Sequence, residues 1–213
     1  MIACGSSLHA CMVAKYTLEK LTRIPVEVCL ASEFRYSDPI VEDGTLAIVI
    51  SQSGETLDTM AAMREIKSLG ARVLSIVNVV GSTIAREADD VIYTWAGPEI
   101  AVATTKAYST QLAVVSQLGI YMADQRGTIT PEYYAALVAE LERLPDKAAR
   151  VLEEQSEIQH FASRFFNHNS IFFIGRNLDY ATGMEGSLKL KEISYIHSEA
   201  YASGELKHGT ISL

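Results

Sequence analysis

Runs of apolar residues alternate with helix-spaced stretches over the first 125 positions of the chain. Strand-like runs fall at 2–4, 26–31, 46–50, 73–79 and 91–95. Between them, apolar residues recur at helical spacing over 7–21, 57–69, 82–88 and 105–124. Strands that are near-continuously apolar, rather than alternating, need cover on both faces. The pattern therefore predicts a parallel α/β sheet between two helical layers. Gly70 follows the second of these helices and suits its C-terminal stop. Trp95, Tyr133 and Tyr134 read as core or helix-packing residues.

From 131 to 164 the pattern is charged and helical, with Pro145 marking a break. The opening pattern then restarts: a strand at 171–174, the turn Gly175-Arg176-Asn177, and a helix from about 180 to 193. Ala31-Ser32-Glu33-Phe34 and Ala202-Ser203-Gly204-Glu205-Leu206 fall at comparable distances along the two copies. This predicts an internal duplication, with a first unit at 1–128, a helical connector at 129–168 and the beginning of a second unit at 169–213. The second unit reaches only its second strand, and the first begins mid-strand. The chain is therefore expected to be a piece of a longer protein, because roughly 45 residues cannot build an independent core.

In parallel sheets, ligands bind beyond the carboxyl ends of the strands, beside a topological switch. Two polar loops fall at such ends, Cys4-Gly5-Ser6-Ser7 and Ser51-Gln52-Ser53-Gly54-Glu55-Thr56. The second opens a helix, where free N–H groups and the positive dipole end suit a phosphate. It lacks the Gly-Lys-Ser/Thr ending of a nucleotide loop, so a small phosphorylated molecule is expected. Hydroxyls at these positions also suit a plain helix N-cap.

Composition narrows the partners. The chain has 213 residues, 48% hydrophobic and 21% charged, with a net charge of −8. That acidity argues against nucleic acid. No apolar run reaches the roughly 18 residues of a membrane span. Cys4, Cys11 and Cys29 are odd in number and show no metal spacing. Free thiols in a cytoplasm are the expectation, with no metal and no cofactor. His9, His160 and His168 show no partner pattern and read as structural or exposed, and His197 reads as a helix-end cap.

The loops quoted above, with Thr104-Thr105-Lys106-Ala107-Tyr108, the run from Leu188 to His197 and Gly204-Glu205-Leu206-Lys207-His208-Gly209, resemble the sugar isomerase (SIS) superfamily. More narrowly they resemble the isomerase part of the glutamine–fructose-6-phosphate aminotransferases. The resemblance runs from Cys4 to His208. It implies a flavodoxin-like three-layer sandwich followed by a truncated second SIS unit. It also implies that Ser51, Gln52, Ser53 and Thr56 hold a sugar phosphate. Ser7, Val102 and Thr104 match positions lining the sugar, with Cys4 and Ser6 on the same rim; Ser6 stands where relatives often carry Thr.

By the same resemblance, Glu192 is the base that moves a proton between C1 and C2, and Lys189 sits beside it. Their i,i+3 spacing puts them on one helix face, and a solvated ion pair has the same spacing. His208 matches a histidine that opens the sugar ring from the neighbouring subunit, which implies a homodimer. The implied partners are fructose 6-phosphate and glucosamine 6-phosphate. The family's glutaminase domain has no counterpart here, and Cys4, placed after a strand, cannot replace its nucleophile. A non-catalytic SIS binding module, or a related phosphosugar isomerase or deglycase, shares the fold.

Overall fold

The computed structural model describes residues 1–212. Its elements, in order, are β1 (Ile2–Ala3), α1 (Gly5–Thr22), β2 (Cys29–Leu30), α2 (Ala31–Phe34), β3 (Leu46–Ser51), α3 (Leu57–Ser68), β4 (Arg72–Val77), α4 (Thr83–Glu87), β5 (Asp90–Tyr93) and α5 (Lys106–Gln125). There follow α6 (Pro131–Glu142), α7 (Leu144–Glu153), α8 (Gln155–Phe165), β6 (Ser170–Gly175), α9 (Leu178–Ser194) and β7 (His197–Ala202). Two short 3-10 turns, Glu205–Lys207 and Thr210–Ser212, close the described chain.

The first five strands form one parallel sheet in the order β2-β1-β3-β4-β5. The chain winds outward in one direction from β1 to β2, then in the other from β3 to β5. The switch lies between β1 and β3, as in flavodoxin-like sheets. Successive side chains of β3 point to opposite faces. Ala47 and Val49 enter the core under α2, α3 and α4, with Met60, Met63 and Ile84. Ile48 and Ile50 enter the opposite core under α1 and α5, with Ala14, Leu18 and Val115. Each such aliphatic side chain contributes about 1.5–3 kcal/mol by leaving water.

Four expected strands are shorter than the pattern indicates: β1 ends at Ala3 and β4 at Val77, and the other two are β2 and β5. Residues 26–28 stay out of the ladder, and side chains take the backbone of Val26. The Val26 N–H donates to Glu19, and its carbonyl accepts from Lys15. Pairing begins at Cys29, whose N–H donates to the Met1 carbonyl. At the other end of the sheet, β5 stops at Tyr93, and Trp95 has a positive φ of 54° and is 76% exposed. The expectation of a core Trp95 is thus corrected: the chain turns before the ring can reach the sheet, and the ring tilts against Tyr93. Tyr134 packs on the satellite core of α5 and α6, whereas Tyr133 is exposed.

Beyond the connector helices, β6, α9 and β7 repeat the order of β1, α1 and β2, and β6 pairs with β7 in parallel. Helix α9 lies close on this pair because Gly186 leaves room for the Phe173 ring; an added Cβ would stand 3.0 Å from it. The same helix packs against α1, which in turn packs against α5. The expected helix cap at His197 is corrected as well. Tyr195, left-handed at φ 60°, ends α9 by donating its N–H to the Lys191 carbonyl. His197 instead opens β7 and faces Ser170 and Glu199.

Candidate functional site

The register of the sheet sets Ile2 against Val49. Two residues on, Cys4 and Ser51 stand level at neighbouring strand ends on either side of the switch. Both polar loops singled out in the sequence therefore flank one crevice mouth.

The Ser51–Thr56 loop is internally braced. Ser51 is buried; its hydroxyl accepts the Gly54 N–H at 3.0 Å and lies 3.1 Å from the Thr56 hydroxyl. Ser53 accepts the Glu55 N–H. Thr56 is the N-cap residue of α3 but makes no side-chain cap bond, and no side chain caps the first turn. The plain-cap reading is thus not what these residues do. The amides that open α3 remain available at the positive end of a twelve-residue helix. Glu55 turns away, and its carboxylate accepts the Thr83 N–H at the start of α4 at 2.7 Å. That bond holds its carboxyl below the usual range, and it removes a negative charge from the mouth of the loop. Gly54 has φ +66° and presses against Ser82, where an added Cβ would stand 2.0 Å from the hydroxyl oxygen.

On the β1 side, Cys4 is the N-cap residue of α1 and is half-buried. Ser7 accepts from the Gln111 amide of α5 at 3.0 Å, and Ser6 donates to Glu185 of α9 at 2.7 Å. Beyond β5, Val102 is 92% exposed, and Thr104 donates to Glu99 at 2.9 Å. Asn78 holds the start of this stretch, from Thr94 to Gly97. Its side chain accepts from Thr94 and Ala96 and donates to the Gly97 carbonyl. Sequence reasoning passed over Asn78, although an asparagine directly after an apolar strand is a usual signal of a side chain holding a turn.

Helix α9 carries the expected ion pair. Lys189 and Glu192 are hydrogen-bonded, and Lys189 also stands 3.5 Å from Glu185. Glu185 is only 5% exposed and bonds His9 at 2.7 Å as well as Ser6. Burial alone would raise its carboxyl. The bonds from His9 and Ser6 and the charge of Lys189 outweigh burial and bring it below the usual carboxylate range. His9 is therefore not an unpartnered histidine, and the sequence gives no local signal for a contact spanning 176 residues. Tyr108 of α5 is pushed up to about 12 by burial and by the charge of Glu185. His208 follows the first 3-10 turn, exposed, and no hydrogen bond or ion pair joins its side chain to Lys189 or Glu192 among the described residues.

The opposite rim carries a shallow depression lined by Lys67, Arg72 and Asp89. Its cations are already matched, Lys67 to Asp89 and Arg72 to Asp90, both at 2.7 Å. No cluster of three or more metal-ligating side chains occurs among the described residues, and no helix is long and apolar enough to cross a membrane.

A family model described as the SIS domain matches residues 1–121 and 164–213. An isomerizing glutamine–fructose-6-phosphate aminotransferase of Clostridium acetobutylicum is 58% identical over all 213 residues, and the chain covers 35% of that protein. The Clostridium tetani enzyme of the same name is 60% identical, with the same coverage. The chain thus spans about a third of the length of the curated relatives it matches. Among solved structures, the C-terminal domain of glucosamine-fructose-6-phosphate aminotransferase from Francisella tularensis superposes with a TM-score of 0.97 at 42% identity. The match covers 99% of this chain and 59% of that one. A glucosamine-6-phosphate deaminase of Thermotoga maritima, at 24% identity and TM-score 0.81 over 100% of this chain and 63% of that one, shares the fold.

Proposed function

The chain belongs to the SIS domain family, and from that premise we propose that it is the phosphosugar-binding isomerase part of a glutamine–fructose-6-phosphate aminotransferase. The whole protein would make glucosamine 6-phosphate from fructose 6-phosphate and glutamine; this chain's share is the sugar step. The observation that carries the reading is the uncapped N-terminus of α3 behind the braced Ser51–Thr56 loop, at the switch between β1 and β3. A phosphate there would take the α3 amides together with the Ser51, Gln52, Ser53 and Thr56 side chains.

The sugar would lie along the rim, with Cys4, Ser6 and Ser7 on one side and Val102 and Thr104 on the other. Glu192 acts as the base that carries a proton between C1 and C2. Lys189, bonded to Glu192, offsets the negative charge that builds on the enediolate oxygen. His208 opens the sugar ring, an imidazole being able to give or take a proton near neutral pH; its exposure leaves it open to a second subunit, which makes the working form a homodimer. Three free cysteines are in keeping with a cytoplasmic protein. The units are those of the duplication: residues 1–128, a connector at 129–168, and a second unit from 169.

Calorimetric titration with glucosamine 6-phosphate, against unphosphorylated glucosamine, tests the phosphate loop. Saturable binding of the phosphorylated sugar alone is expected, lost when Ser51→Ala and Thr56→Ala are combined. Equal binding of both sugars would overturn the assignment. Glu192→Gln in the intact protein should abolish isomerisation while leaving sugar-phosphate binding in place. Isomerisation that survives this change would remove Glu192 from the role of base.

A further inference from the structure

The chemistry proposed above leaves one buried charge unused. Glu185 sits in the contact between α1 and α9, where it and His9 are 5% and 8% exposed. Its Oε1 accepts from Ser6 at 2.7 Å and stands 3.5 Å from the Lys189 ammonium. Its Oε2 lies 2.7 Å from Nδ1 of His9. A carboxylate only accepts, so His9 carries its proton on Nδ1 and donates it. Taking a carboxylate and an imidazole out of water is costly, and apolar side chains of similar size would fill such a contact at least as stably. What the polar pair adds is a fixed direction. Lys189 has carboxylates on both sides, Glu185 and Glu192. An untethered Glu185 could swing onto the ammonium and draw it from Glu192. With its oxygens held by Ser6 and His9, Glu185 stops 3.5 Å short, and the closer bond of Lys189 goes to Glu192.

We propose that His9 is a positioning residue for the Lys189–Glu192 pair, acting through Glu185 across the contact between α1 and α9. This rests on the reading of Lys189 and Glu192 as the reacting pair. It adds that their geometry is set from the other unit, by the helix whose first turn forms one rim of the sugar site. Tyr108 is the remaining titratable group facing Glu185. Its hydroxyl is buried without a partner, so it does not compete for the carboxylate.

The test reads the Lys189 ammonium directly. Lysine ammonium protons exchange with water too fast to be seen by NMR unless they are held and shielded. At 16% side-chain exposure and between two carboxylates, Lys189 should be seen, whereas Lys15 and Lys67, at 40% and 41%, are open to water. A 1H–15N ammonium spectrum of the whole chain, with the signal assigned by Lys189→Arg, is expected to show this cross-peak. The cross-peak should move in His9→Ala, where the freed Glu185 draws the ammonium from Glu192, and the same change should have no effect once Glu185→Gln has removed the competing charge. It should return to its parent position in His9→Asn, whose amide nitrogen stands where Nδ1 stood. An unmoved signal in folded His9→Ala, or no Lys189 signal in the parent chain, overturns the proposal. Should His9→Ala fail to fold, His9→Leu keeps the bulk without the donor, and an unmoved signal there overturns it equally. The glucosamine 6-phosphate titration stands apart. Sugar binding with an unmoved ammonium signal sinks only the role of His9. A signal that depends on His9 without sugar binding sinks only the sugar reading.

Discussion

Gly54 is the tightest point of the candidate phosphate loop, and Gly54→Ala gives a sharp test of how that loop is built. At φ +66°, a left-handed conformation costs a side-chain-bearing residue about 1–2 kcal/mol. The new Cβ would also stand 2.0 Å from the Ser82 hydroxyl oxygen and 2.5 Å from its Cβ. The Ser82 Cβ is fixed to the backbone and cannot rotate away, so one segment must shift. Overpacking of this kind costs about 1–3 kcal/mol more. The sum is roughly 2–5 kcal/mol, which moves a urea midpoint by on the order of 1–2 M. Gly44→Ala isolates the conformational part, because Gly44 has φ +81° and nothing within 4 Å of an added Cβ; it should lose only the first share. Ser82→Gly combined with Gly54→Ala should recover most of the second share, since the Ser82 hydroxyl has no partner to lose. Denaturant unfolding of the four chains is the assay. Equal losses for Gly54→Ala and Gly44→Ala, or no recovery in the double variant, would refute the close-contact argument.

Ser51→Ala leaves the buried Gly54 N–H without its acceptor, so a loss of about 1–3 kcal/mol is expected by the same assay; a change under about 0.5 kcal/mol would show that the brace is dispensable. Glu185 binds its proton more weakly in the folded chain than in the unfolded one. Its contribution is therefore complete above the ordinary carboxylate value and drains away as pH falls toward the lower folded value. The melting temperature of Glu185→Gln should fall less than that of the parent between about pH 5 and about pH 3, and parallel acid limbs would contradict this. Cys11 is pushed up to about 12 by burial, which denies it the reactive thiolate. A thiol reagent at mildly alkaline pH should label it only after denaturant is added, and native labelling of the peptide bearing Cys11 would argue against the packed core around it.

The parts of the fold legible in the sequence are those written by short-range rules. β3 and β4 are mostly apolar, broken inside β4 only by the buried Ser75, because both faces are covered, and they lie within two residues of the expected positions. The Ser51–Thr56 loop is legible for the same reason, since strand, polar turn and helix are contiguous. What escaped depends on partners far along the chain. Residues 26–28 look like strand, yet Glu19 and Lys15 on the preceding helix take the Val26 backbone. Trp95 looks like core until Asn78, seventeen residues earlier, is seen to draw the chain out at Thr94 and Ala96. Glu55 reads as part of an anion loop, but its bond to Thr83 assigns it to α4. His9 and Glu185 each sit in a helix with nothing nearby to mark them. Only the docking of α9 on α1 makes them a pair.

The α7 and α8 connector has no buried residue, while α1 touches α9 directly. Covalent continuity and physical attachment thus run through different parts of the molecule. The connector acts as a tether, raising the effective concentration of one unit beside the other without itself shaping their fit. A chain nicked within α7 or α8 should elute as one species at native pH and part into two fragments when the α1–α9 contact is broken. On the division proposed above, the two units would behave as a complex held in one chain.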